Sequence, residues 1–399
     1  GMISLGCAKN LVDSEIMLGR LAAQGYEVVG SAEDAETVIV NTCGFIDQAR
    51  EESVNAILEA AGWKQEGGVR RVLVAGCMVN RYGEELAKEI PEIDGFIGLD
   101  QLEQADRIVL GPEDLPDCDL AFSGLDSTAA AEIEPRLARA GITVVSNAGA
   151  FRMEPDVPLL VPEVNADHLG LVDGQRTAAP IVTNPNCSTI GLVLALAPLH
   201  QAFGVEAVQV TTLQAISGAG YPGVPSFDVL GNVLPWIRNE EEKLESEPLK
   251  ILGRREGGRI VPAEIRISAQ TNRVPVLDGH MLSVAVKLRA PADLPGVRQA
   301  MSRFGQPLAE LGLPTAPEQA LALLDGADHP QPRLHAGLGR GMTVSVGRLR
   351  RCPVLDVRFV ALVHNTLRGA AGGAVLNAEL LWRQGRLAQR GEVAVGAGA

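Results

Sequence analysis

The sequence is short of basic charge, of long apolar runs and of cysteine. Against 49 Asp and Glu stand 35 Lys and Arg, a formal net charge of −14, which argues against general affinity for nucleic acid or anionic lipid. The longest apolar run, around Ile190 to Leu199, is about half the ~18 residues a membrane span needs, so no membrane anchorage is expected. Six cysteines in 399 residues are too sparse for a disulfide framework. No two are close enough to form a C-x-x-x-C-x-x-C run, and no histidine precedes His168. The start, GMISLGCAKN, lacks a basic segment followed by an apolar core, so a secretory leader is not expected. The expected compartment is the reducing cytoplasm.

What is there is an ordinary globular composition, 46% hydrophobic and 21% charged, with length for two to four domains. In the first hundred residues short β-rich runs alternate with amphipathic helices. Strands are expected at Met2–Leu5, Thr37–Asn41 and Arg71–Ala75, with a weaker one at Tyr26–Val29. Helices are expected near Leu11–Ala23, Ile46–Ala61 and Arg81–Ile90. The second carries Val54, Ile57, Leu58 and Ala61 at helical spacing, with Glu51 and Glu52 on the wet side. This alternation implies a parallel α/β sheet.

Cys7, Cys43 and Cys77 each follow a predicted strand by one or two residues. In a parallel sheet those ends share one edge, where ligands bind, so three thiols distant in sequence would converge. Buried, unrelated cysteines would also satisfy the pattern. Soft thiolates favour zinc or an iron–sulfur cluster. With no imidazole nearby, three cysteines and one open iron position are the better fit.

The segments SLGCAKNLVDSEIMLGRL, VIVNTCGFIDQAREESVNAIL and VAGCMVNRYGEELAKEIPEIDGFIG resemble the N-terminal domain of the ribosomal-protein methylthiotransferases, over residues 2–105. The resemblance implies a [4Fe–4S] cluster held by Cys7, Cys43 and Cys77. The radical-SAM cysteine run that follows in that family has no counterpart here.

After the proline- and acid-rich joint GPEDLPD the text changes. CDLAFSGLDSTAAAEIEPRLARAGITVVSNAGAFR reads strand, helix, strand, with strands at Leu120–Ser123 and Ile142–Asn147. PLLVPEVN and APIVTNP read as two more β-rich runs. The second leads to Asn186-Cys187-Ser188-Thr189, which opens a helix. The free N–H groups and dipole of a helix start stabilise an anion, and such a place can lower a thiol pKa from about 8.5 into the range of about 3.5–7.5. Cys187 is therefore a candidate acyl nucleophile, with a buried capping cysteine as the equal alternative. Gly218, Gly220 and Gly223 satisfy G-x-G-x-x-G, but Pro222 lies inside it and the βαβ context is poor. Glu240 and Lys243, three apart, share one helix face. Arg273 and His280, seven apart, can meet only across a turn near Asp278-Gly279. His168, His200, His329, His335 and His364 read as ordinary structural or surface residues.

The runs SNAGAFRMEPDVPLLVPEVNADHL, IVTNPNCSTIGLVLALAPL, TLQAISGAGYPGVPSFDVLGNVLPWI, NEEEKLESEPLKILG, TNRVPVLDGH and HNTLRGAAGGAVLNAEL resemble aspartate-semialdehyde dehydrogenase of the archaeal/fungal-like branch, over residues 115–385. The resemblance implies reduction of L-4-aspartyl phosphate by NADPH through a Cys187 thioester. His280 would be the acid/base and Gln214 would orient the acyl group. Arg273 would pair with the substrate α-carboxylate and Glu240 with its α-ammonium. Arg152 and Lys243 would cradle the phosphate, beside Asn186. Ser217, Gly218, Ala219, Gly220 and Asn365 would face the nicotinamide side of NADP. A homodimer through residues 187–365 is also implied.

The family's opening strand and G-x-x-G-x-x-G loop have no counterpart before Cys118. The expected fold class is therefore α/β throughout. It comprises an N-terminal parallel-sheet domain (1–106), an incomplete Rossmann-type half (107–186, completed by a helix in 366–399) and an α+β catalytic and dimerisation domain (187–365). Two rival readings are an iron–sulfur module carrying an inert dehydrogenase part, and a chimera without function.

Overall fold

The computed structural model describes residues 1–5, 8–23, 26–43, 47–98, 118–220, 223–305, 308 and 311–387. Contacts divide the chain into two compact units, Gly1–Pro116 and Asp117–Ala399. No helix among the described residues is long and apolar enough to cross a membrane.

In the first unit β1 (Met2–Ser4), β2 (Thr37–Thr42), β3 (Arg71–Gly76) and β4 (Gly95–Ile97) form a parallel sheet in that order. The period-two alternation of β2 and β3 sorts their side chains to two faces. Val38, Val40, Val72 and Val74 pack under α2 (Asp47–Gln65) and α3 (Cys77–Glu89). Ile39, Leu73 and Ala75 pack under α1 (Ala8–Ala23) on the opposite side. Burial on both faces accounts for the near-continuous apolar runs VIV and VLVA. Tyr26–Val29 forms no strand; the segment runs as loop beside the sheet, with Tyr26 and Val29 packed against its cores. Helix α3 begins at Cys77 itself, four residues before the sequence suggests, with Gly76 at φ 95° as its N-cap.

The second unit opens with a three-stranded parallel sheet, β5 (Leu120–Ser123), β6 (Thr143–Ser146) and β7 (Ile181–Thr183). Helix α4 (Ser127–Arg139) follows β5 and is capped by the Asp126 carboxylate, which accepts from Thr128 N at 2.8 Å and Ala129 N at 3.2 Å. PLLVPEVN is not a strand. Only Leu159 bridges to Thr183, and Pro162–Asn165 turns into the short helix α5. Pro158 and Pro162 have no N–H for a ladder, while the Asn165 side chain closes the turn by accepting from Val161 N and donating to Leu159 O, both at 2.9 Å.

The long apolar run becomes α6 (Cys187–Phe203), in which Ser188 to Leu199 are all buried. A helix apolar on every side belongs in a core, and α6 packs against a six-stranded mixed sheet of order β11-β8-β12-β15-β14-β13. These strands are β8 (Val205–Gln214), β11 (Arg266–Arg273), β12 (His280–Leu288), β13 (Leu321–Leu324), β14 (Val344–Arg351) and β15 (Val357–Val363). Helix α7 (Glu240–Ile251) and α8 (Leu294–Ser302) lie on the same covered face, and the hairpin β9 (Arg254–Glu256) and β10 (Arg259–Val261) follows α7. Helix α9 (Gly372–Arg383) packs Leu376, Leu380 and Leu381 into a second cluster with Val145, Leu160 and Val182 of the small sheet.

Candidate active site

Strand polarity assembles the site. β8 and β11 are parallel, with Gln214 opposite Arg273 at their C-terminal ends. β12 runs antiparallel to β8 and starts at His280, beside Met281 opposite Leu213. β15 ends with Val363 opposite His280, two residues before Asn365. Gln214, Arg273, His280 and Asn365 thus share one end of the large sheet. The turn expected between Arg273 and His280 is present: Val274 N donates to Gln214 O at 3.0 Å and Gly279 N to Asn365 Oδ1 at 2.8 Å.

Cys187 is the first residue of α6, and Asn186 is its N-cap, accepting from Ser188 N at 3.0 Å and Thr189 N at 3.4 Å. Asn186 is itself held by two acids of α7. Its side-chain amide donates to both Glu240 oxygens, at 2.9 and 3.0 Å, and its backbone N–H to Glu247 Oε2 at 2.8 Å. Glu240 also accepts from Gln214 Nε2 at 3.2 Å and from Lys243 Nζ at 2.9 Å. Arg152 donates through Nη1 to Glu247 Oε1 at 2.9 Å and through Nη2 to Asn147 O at 2.6 Å, leaving its buried Nε without an acceptor. Lys250 Nζ donates to the carbonyls of Arg152, Glu154 and Val157 at 2.7–2.8 Å.

Arg273 Nη1 donates to Ala215 O at 2.7 Å, and Ala215 N donates to His280 Nδ1 at 3.0 Å. A backbone amide can only donate, so Nδ1 is the unprotonated nitrogen and the proton of the neutral ring sits on Nε2. That Nε2 is buried without a partner. A Cβ on Gly218 would come within 2.9 Å of the His280 ring and 3.1 Å of Arg273 Nη1, so only glycine fits there without displacing one of them.

The electrostatics correct one expectation. Cys187 is pushed up to about 12, by burial first and by the Glu240 carboxylate second; the Ser188 amide, Arg152 and Arg273 pull the other way and do not win. Desolvation of a thiolate outweighs the helix start, so the resting group is a thiol. Burial, aided by Arg273 and His364, pushes His280 down to about 3, which keeps it neutral.

Arg152, Asn186, Cys187, Glu240 and Lys243 line one cavity of about 420 Å³, together with Ser217, Gly218, Gly220, Asn365 and the start of α4. Gln214, Arg273 and His280 lie buried behind them. Ala219 is exposed and is not among the lining residues. In the other unit Thr42 and Gly76 are register partners at the ends of β2 and β3, and Cys43 and Cys77 are the residues that follow those paired ends. Cys7 lies outside the described residues, and among the described residues no three metal-ligating side chains cluster.

Comparison with known proteins fits this geometry. Residues 77–172 match the semialdehyde dehydrogenase NAD binding domain and residues 196–368 its dimerisation domain. Aspartate-semialdehyde dehydrogenase from Archaeoglobus fulgidus is 44% identical over 312 residues, covering 76% of this chain and 87% of that one. The chain belongs to the aspartate-semialdehyde dehydrogenase family. The family member from Methanothermobacter thermautotrophicus is 46% identical over 68% of this chain and 79% of its own length. Among solved structures, the Candida albicans aspartate semialdehyde dehydrogenase with NADP aligns with a TM-score of 0.65 at 41% identity, covering 71% of this chain and 83% of that one. The Vibrio cholerae enzyme II complexed with ASA gives 0.57 at 26% identity, over 82% and 94%. Residues 1–98 match the uncharacterized protein family UPF0004, the methylthiotransferase N-terminal type, which overlaps the NAD-binding match over residues 77–98. The α/β class, the two-family composition and the dehydrogenase membership expected from the sequence therefore hold.

Glu247, Lys250 and Asn147 were not legible as site residues. A signal for two of them exists: Glu240, Lys243, Glu247 and Lys250 are spaced 3-4-3, which is one helix face.

Proposed function

We propose that the chain carries out the reduction of L-4-aspartyl phosphate to L-aspartate 4-semialdehyde with NADPH, through a thioester on Cys187. The observation that carries this reading is the buried network in which Asn186, the residue before a helix-opening cysteine, is gripped by Glu240 and Glu247 beside Arg152, Lys243 and Gln214. Acids and cations so arranged suit a substrate that is itself an ammonium, a carboxylate and a phosphate.

In this reading the substrate α-ammonium takes the place of Lys243 on Glu240, and the released Lys243 turns to the phosphate with Arg152. The α-carboxylate meets Arg273. Cys187 Sγ bonds the acyl carbon, the carbon–oxygen bond to phosphate breaks, and phosphate leaves with its electron pair. The Cys187 proton passes to the departing phosphate oxygen, so that the sulfur attacks as thiolate and the phosphate leaves protonated. NADPH, when bound, supplies a hydride to the thioester carbon. Gln214 orients the acyl group. His280, held as the Nε2–H tautomer, donates a hydrogen bond to the oxyanion of the tetrahedral species and so eases its formation and collapse.

The cofactor's residues fit its nicotinamide end: Ser217, Gly218, Gly220 and Asn365 line the same cavity as Cys187, Gly218 presents bare backbone, and Asn365 Nδ2 donates to Ser217 Oγ at 2.8 Å. Ala219 belongs to the same turn. The proposed domain division places residues 107–186 with the 366–399 helix as the cofactor half and 187–365 as the catalytic and dimer-forming half. The chain acts as a homodimer in the cytoplasm.

The test is NADP reduction with aspartate semialdehyde in the presence and absence of inorganic phosphate. Turnover that depends on phosphate and vanishes in Cys187→Ala is expected; a rate retained by Cys187→Ala would refute the thioester.

A second reading concerns the first unit alone, and it rests on Cys43 and Cys77 following the paired ends of β2 and β3. These two thiols would hold a [4Fe–4S] cluster with Cys7, leaving one iron open. Absorption in the visible after anaerobic purification, lost in Cys43→Ser, is the expected sign.

A further inference from the structure

The reading above gives Arg152 the phosphate and Cys187 the acyl carbon, and leaves unexplained how a cation on a loop and a thiol on a helix keep their spacing. Both trace to one carboxylate. Glu247 is 2% exposed. Its Oε1 accepts from Arg152 Nη1 at 2.9 Å and its Oε2 from Asn186 N at 2.8 Å. Asn186 caps α6 immediately before Cys187, so the two oxygens of one side chain reach the phosphate cation and the backbone that aims the nucleophile. The far side of the Arg152 loop is fixed by Lys250, one turn further along α7, through three carbonyls.

One N–H of Nη1 goes to Glu247 and one of Nη2 to Asn147 O, which fixes the plane of the Arg152 guanidinium and leaves the second hydrogen of each Nη, with the buried Nε–H, for a ligand. A side chain with three freely rotating bonds would otherwise sample many rotamers. Glutamine at position 247 has a single acceptor oxygen and cannot serve both the Arg152 and the Asn186 donors. Aspartate keeps both oxygens but is one methylene too short to reach both.

We infer that Glu247 is a positioning residue that locks the Arg152 phosphate cation to the Cys187 helix start, so that the phosphate and acyl sites are set by one carboxylate. The inference rests on the proposed role of Arg152, and the experiment separates the two. Full-length protein is alkylated with iodoacetamide at pH 9, and modification of Cys187 is followed by mass spectrometry against rising inorganic phosphate.

Phosphate is expected to protect wild-type Cys187 saturably. Arg152→Ala and Glu247→Gln should each raise the half-protecting concentration at least tenfold. The double variant should match Arg152→Ala within about twofold, because Glu247 acts through Arg152. A merely structural loss would change the alkylation rate without phosphate but not this non-additivity. If Arg152→Ala raises the half-protecting concentration and Glu247→Gln does not, or if the two effects multiply, the inference falls and the Arg152 role stands. If phosphate leaves wild-type Cys187 unprotected, the Arg152 role fails first and takes the inference with it. Thermal melts accompany each variant. Should Glu247→Gln not fold, Glu247→Asp must show the same loss; unfolding of both makes Glu247 a core residue and overturns the inference.

Discussion

Cys187 and His280 show what burial does to single groups. Both are pushed towards their neutral forms, the thiol to about 12 and the imidazole to about 3, and the resting pair is therefore uncharged at neutral pH. For His280 the sign of the stability effect follows. Its folded pKa lies below the unfolded value of about 6.5, so the folded state binds fewer protons between pH 6.5 and 3. Its contribution is complete above pH 6.5 and is lost as the pH falls through about 3. The second unit should lose thermal stability steadily on acidification across that window. His280→Asn should flatten the slope by about one proton, read from melting temperatures at a series of pH values. Cys187 also marks the limit of position-based argument. A helix start is visible in NCST, but the Glu240 carboxylate that opposes it lies 53 residues away in sequence and close by only in space.

At the level of elements, the helix starts carry most of the chemistry. Asn186→Ala removes a cap, which costs about 1 kcal/mol, and also strips Glu240 of an amide donor within a buried network. The expected outcome is a loss above that figure, measured by urea unfolding of the second unit, with the thiol of Cys187 pushed no lower. β1 to β3 and the three helices of the first unit were legible to within a few residues, because β2 and β3 alternate faces and α2 carries Val54, Ile57 and Ala61 at helical spacing; β4 was not among the expected strands, and Leu58 of the expected stripe is exposed. Tyr26–Val29 and PLLVPEVN read as strands from apolar content, which signals burial and not a ladder; in PLLVPEVN, Pro158 and Pro162 withhold the N–H groups a ladder needs. Through the resemblance the sequence already named Cys187, Gln214, Glu240, Arg273 and His280, which the fold brings together. Its supports, Glu247 and Lys250, are ordinary charged residues in an acidic helix and acquire meaning only from what they touch.

For the whole molecule, the large sheet has one face covered by α6, α7 and α8 and an opposite face on which Leu213, Met281 and Val360 are only partly buried. Gln209, Thr211 and Ser283 share that face, so it is a mixed surface of the kind two subunits can cover, and the proposed homodimer is the reading that uses it. Val360→Arg, at the middle of β15 on that face, should give a monomer by light scattering at micromolar concentration, where the wild type is expected to be a dimer. Cofactor affinity belongs to the same scale. Pyrophosphate binding in doubly wound folds rests on a strand, a glycine loop and a helix start, and no such loop precedes β5 in the sequence. Several charge-assisted hydrogen bonds, at about 1.5–3 kcal/mol each, are forgone. A calorimetric titration should therefore find NADP affinity far weaker than low micromolar, and turnover correspondingly slow.

The 3-4-3 face of α7 has a consequence in time. Glu240, Lys243, Glu247 and Lys250 sit on three successive turns of one short helix, and between them they hold Asn186 before Cys187, the Arg152 guanidinium and the Arg152 loop, on which the proposed amine and phosphate sites depend. Local opening of that helix releases all four together. The pocket should therefore be lost and regained as a single event, at the rate at which the amides of α7 exchange.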